Sequence, residues 1–158
     1  MDEKEEGRNN RRTLKALLDA AGYTSKRIAE TAYEVTFGGN YRDWDVRLAV
    51  ANGWLAFTIY FFALPPIGSI RTALYERVLE LNDVLSASKF TKSKETLTLD
   101  LQYRAQHADA EAIQNLIGLL IATCEEHYPE LFRIVSGDET LSKLEGAFTR
   151  PSVSESVE

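Results

Sequence analysis

Residues 69–103 read SIRTALYERVLELNDVLSASKFTKSKETLTLDLQY, and the hydrophobic period changes within them. Leu74, Val78, Leu81 and Leu85 recur at helical spacing, with Ile70 one turn upstream. Arg71, Glu76, Arg77, Glu80 and Asp83 fall largely elsewhere around the axis, so this helix has one apolar side and needs a partner surface. Pro65, Pro66 and Gly68 separate it from what precedes, and the Ser69 hydroxyl is placed to cap its first turn. After Ser86 the period becomes two: Leu97, Leu99, Leu101 and Tyr103 alternate with Thr96, Thr98, Asp100 and Gln102, which describes a strand buried on one face. A two-residue turn at Lys94-Glu95 would set Phe90, on the preceding short strand, opposite Leu99.

Upstream lies a meander. Asn52-Gly53 between two apolar runs is the preferred pair for a type I′ hairpin, because both residues tolerate positive φ. That turn sets Val50 against Leu55, Leu48 against Phe57 and Val46 against Ile59 on one face, with Phe61 extending it. Tyr33, Val35 and Phe37 supply a third strand that ends at Gly38-Gly39-Asn40. Thr24 to Glu30 reads as a connection. Before it, Leu14, Leu17, Leu18 and Ala21 form the stripe of a first helix, capped at Asn9 or Asn10 and stopped at Gly22.

Downstream, Asp109 can cap a long last helix whose stripe runs from Ile113 through Cys124 to Tyr128, with a kink or restart expected at Pro129. The order is α-β-β-β-α-β-β-α. The expected fold class is α+β: an antiparallel five-stranded sheet with the helices packed on one face. Residues 9–135 form a single domain. Residues 1–8 and the polar 136–158 are expected to be disordered tails. Within the second tail, Leu141, Leu144 and Phe148 share helical spacing and are a candidate docking motif against an otherwise solvated segment.

Composition narrows the function. The formal net charge is −6, which argues against a dedicated nucleic-acid binder. Arg8, Arg11, Arg12 and Lys15 are offset by nearby acids and read as a solvated face. The longest apolar run, Trp54 to Pro66, is too short and too β-rich for a membrane helix, so no membrane partner is expected. The N terminus is charged and lacks an apolar leader core, and the single cysteine suits a reducing compartment; the expected location is cytoplasmic. No cofactor site is visible. Gly38-Gly39-Asn40 lacks the spacing and lysine of a phosphate loop, and His107, His127, Cys124, Glu125 and Glu126 match no metal-ligand spacing. Asp43 and Asp45 flank Trp44 and read as surface. Cys124 and His127 are three apart on a helix, so a thiolate–imidazole pair is conceivable. The stronger reading makes Cys124 a small core hydrophobe, with His127 near the last carbonyls. No catalytic residue is assigned.

One surface has functional content. By strand parity Trp54, Tyr60 and Phe62 share the second face of the sheet with Ala49, Ala51 and Ala56, which makes that face more apolar than ordinary solvated surface. Exposed together they would form a patch that monomers avoid. A helix or the tail covers them, or they form a homodimer seam or a surface for a protein client.

The chain also resembles a family. The helix ending Leu81-Asn82, the following Lys89-Phe90, the strand through Leu101, the meander closed by Leu64-Pro65 and the run His127-Tyr128-Pro129-Glu130-Leu131 are similar to the bacterial YbjN family over roughly Thr13 to Val135. The resemblance implies a fold like the class I type III secretion chaperones, often dimeric, and no catalytic residues. It leaves two expectations. One is a non-enzymatic, chaperone-like or regulatory module that binds protein segments on an apolar sheet surface. The other is a sensory-transduction or stress-response regulator acting through a defined protein partner.

Overall fold

The structure is a computed structural model and describes residues 14–136. The cap at Asn9 or Asn10, the first tail, and the second tail beyond Ser136 with Leu141, Leu144 and Phe148 lie outside those residues. Helix α1 (14–20) leads into β1 (Lys26–Ala29), β2 (Ala32–Phe37), β3 (Trp44–Ala51) and β4 (Trp54–Ala63). Helix α2 (Ser69–Val84), the hairpin β5 (Lys89–Ser93) and β6 (Thr96–Arg104), a 3₁₀ turn (Ala105–His107) and α3 (Ala110–Val135) follow. The strands join edge to edge in one sheet, order β1-β2-β3-β4-β6-β5, with every neighbouring pair antiparallel.

The sheet has six strands where the pattern predicted five. The additional one, β1, lies in the stretch read as a connection and pairs with β2 through Arg27 and Tyr33. All four of its residues are exposed. Alternation marks a strand only when one face is buried, so an edge strand wet on both sides leaves no period.

The central hairpin follows the expected register. Asn52 and Gly53 have φ of 53° and 79°, and Val50, Leu48 and Val46 oppose Leu55, Phe57 and Ile59. Lys94 also has positive φ, and Phe90 opposes Leu99. These inward side chains, with Trp44 and Phe61, form one core with Leu14 and Leu18 of α1, Leu74, Val78 and Leu81 of α2, and Ile113, Ile117 and Leu120 of α3. The helices therefore lie over a single face of the sheet.

Helix ends obey local rules with one exception. Gly22 (φ 86°) closes α1: the N–H of Tyr23 reaches the Leu18 carbonyl at 3.0 Å and that of Gly22 reaches Asp19 at 3.0 Å, the paired bonds of a Schellman stop. The Asp109 carboxylate accepts from the Ala112 N–H at 2.7 Å and caps α3. At α2 the cap position falls to Gly68, and Ser69 is already helical, so its hydroxyl caps nothing. The α3 helix runs through Pro129 as one element, without a restart.

Candidate protein-interaction surface

The face of the sheet away from the helices carries Arg47 and Asp45 from β3, Ala56, Thr58 and Tyr60 from β4, and Thr98, Asp100 and Gln102 from β6. Register sets the last three opposite Tyr60, Thr58 and Ala56. Together with Lys89, Thr91 and Ser93 of β5 they floor a shallow trough of about 880 Å³. No helix among the described residues lies over it. Trp54 and Tyr60 are 36% and 47% exposed.

Phe62 does not join them. A β-bulge between Tyr60 and Phe62 inserts Phe61 without a partner, and Phe62 then opposes the buried Leu97. Its ring centroid lies 6.5 Å from that of Tyr128 on α3, on the helix side. Strand parity assumed unbroken pairing. The bulge, which belongs to the β4–β6 ladder, reverses the parity at its last step.

The open face is accordingly mixed in polarity, with two aromatic platforms that each hold an arginine. The Arg104 guanidinium lies 4.2 Å from the Trp54 ring centroid, across the ladder from it. Arg42 lies 5.9 Å from the centroid of Tyr60 and 4.7 Å from that of Trp44, and its Nη1 donates to the Phe61 carbonyl at the bulge at 2.6 Å. Between the platforms Thr91 and Thr98 donate to the Asp100 carboxylate, the second at 3.0 Å. Arg47 pairs with Glu34 at 3.0 Å and Thr36 with Asp45 at 2.6 Å. Arg42 and Arg104 carried no signal in the sequence. Placing Arg104 beside Trp54 requires β6 to lie next to β4, which no local pattern states.

The residues that carry the family resemblance prove to be structural. The Asn82 carboxamide accepts from the Phe90 N–H at 2.8 Å and donates to the Phe90 carbonyl at 2.9 Å, while Lys89 Nζ donates to the carbonyls of Asn82 and Leu85. This clips the end of α2 to β5. Glu130 pairs with Arg77 and ties α3 to α2. Tyr128 packs on Trp44, Phe61 and Phe132.

The candidate chemistry does not assemble. Cys124 is fully buried, and burial, reinforced by the Glu125 charge, pushes its thiol up to about 12. His127 packs edge-on against Phe90 and faces Glu126 at 3.8 Å, eight residues short of the last helical residue, away from the terminal carbonyls. No cluster of three or more His, Cys, Asp or Glu suited to a metal occurs among the described residues, and no helix there is long and apolar enough to cross a membrane. Asp45 is indeed a surface residue, lining the trough.

The fold is similar to that of the type III secretion chaperones. The chain is similar to one in the heterodimeric ExoU–SpcU complex from the type III secretion system of Pseudomonas aeruginosa (15% identity, 76% of this chain and 95% of that one, TM-score 0.52). It is also similar to a chain of the ExsC–ExsE complex (15% identity, 83% and 97% covered, TM-score 0.50). The chain belongs to the YbjN family, described as "putative bacterial sensory transduction regulator", which matches residues 10–133. No curated protein matches it in sequence.

Proposed function

We propose that the protein is a non-enzymatic interaction module that binds a protein segment on the open face of its sheet. The observation that supports this most directly is the position of Trp54 and Tyr60, large aromatics standing on a face that no described helix covers. The two similar structures are both complexes between proteins, which is consistent with the same use of the fold. The family description favours a second reading, a sensory-transduction regulator working through one defined partner. Self-association through the same face is the competing use of these aromatics.

Affinity capture from the native host with the parent and a Trp54→Ser/Tyr60→Ser variant tests the proposal. The expected result is a discrete set of polypeptides retained by the parent and lost by a variant that melts within a few degrees of it. Equal retention by both contradicts it. A protease-sensitive, extended ligand favours the chaperone-like reading, and a folded signalling protein favours the regulator.

A further inference from the structure

Acidic residues outnumber basic ones in this chain, 24 to 18. Arg47, Arg71 and Arg77 are each matched by a carboxylate. Arg42 and Arg104 on the open face are not: among the described residues they are held by aromatic rings and, for Arg42, by the backbone carbonyls of Asp43 and Phe61. An aromatic face positions a guanidinium while leaving its outer N–H groups for an incoming anion. The two platforms are at Trp54 and Tyr60, six residues apart along β4, or about 20 Å at strand rise. Between them the β4 side chains on this face are small, Ala56 and Thr58, and Asp100 lies across from Thr58.

We propose that the partner segment is an extended, acidic polypeptide lying along β4, with one carboxylate on Arg104 beside Trp54 and another on Arg42 beside Tyr60. This rests on the open-face reading above and gives its ligand a chemistry. The span sets the two acids about six residues apart in the extended segment. Asp100 repels a third acid midway, so the centre of the segment is uncharged or basic. The same carboxylate, midway between the platforms, disfavours a phosphodiester chain, which is negative at every step. Strand addition to β5 is disfavoured too, because Asn82 already occupies the outward N–H and carbonyl of Phe90.

The test uses the full chain and a fluorescein-labelled peptide of roughly twelve alternating Thr and Val residues with two Glu six apart, read by anisotropy. Binding is expected to weaken about tenfold for Arg104→Gln, and similarly when the two Glu are placed side by side. It is expected to stay unchanged for Arg133→Gln on α3. Arg42→Gln should act like Arg104→Gln. If losing the bond to Phe61 unfolds it, the Arg104 variant alone decides. Equal binding of a peptide with Lys in place of both Glu overturns the acidic partner yet leaves the face a binding surface. No binding of any of these peptides overturns the acidic partner as well. A doubled mass by light scattering then assigns the face to a second copy, and binding regained on removing 137–158 assigns it to that segment; either result also removes a partner's segment from the open face.

Discussion

Gly39 shows how tightly single positions are specified. A Cβ there would lie 1.9 Å from Glu125 Oε1, 2.6 Å from the Arg42 carbonyl oxygen and 2.8 Å from Trp44 Nε1. The space is taken because the Glu125 carboxylate accepts from Trp44 Nε1 at 2.7 Å and from the Asn40 N–H at 3.1 Å, joining α3 to the β2–β3 loop. Gly39→Ala is expected to cost about 2–4 kcal/mol in urea unfolding, with the backbone contact preventing relief by a rotamer change. The sequence identified a turn at Gly38-Gly39-Asn40, but Glu125 is 85 residues away and its contact with Asn40 could not be read. Cys124 was legible, because its place in an apolar stripe already implied an inert thiol. With that thiol raised to about 12, native protein at pH 8 should resist iodoacetamide and react only as fast as it unfolds. Rapid labelling of folded protein would refute this.

At the scale of elements, local chemistry was legible and partners distant in sequence were not. The Asn52-Gly53 register needed only the turn and its flanking residues. Arg71 was assigned to the solvated side of α2, yet it is 8% exposed, because its guanidinium bridges the Pro65 carbonyl at 2.7 Å and the Glu95 carboxylate in the β5–β6 turn. The hydrogen bond from Arg71, then its charge, lowers the Glu95 pKa below 4.5. A carboxyl lowered on folding stabilises the folded state above its unfolded pKa, and that contribution disappears as pH falls through the folded value. Parent minus Glu95→Gln is thus expected to be a positive difference in Tm at pH 7 that shrinks toward zero on acidification below about 4.5. A difference independent of pH would remove the ion pair as its cause. Asn82→Ala strips partners from both backbone groups of Phe90, and should cost about 1–3 kcal/mol by urea unfolding.

At the scale of the molecule, the layering follows from two periods: strands with one buried parity, and helices with one apolar stripe, can bury both only by laying the helices on one face. That much was legible. What lies on the second face was legible only in part, since its aromatics depend on strand order and on a bulge at Phe61. The two tryptophans report on the two sides: Trp44 is buried under α3 and Trp54 stands on the open face. Fluorine NMR of the full chain labelled with 5-fluorotryptophan, assigned with Trp54→Phe, therefore tests the open binding face directly. The expected result is a Trp54 resonance that shifts between H₂O and D₂O in the free protein and moves when a captured segment is added, with Trp44 unchanged in both. A Trp54 resonance already shielded from solvent, or one that stays still while Trp44 moves, would contradict it.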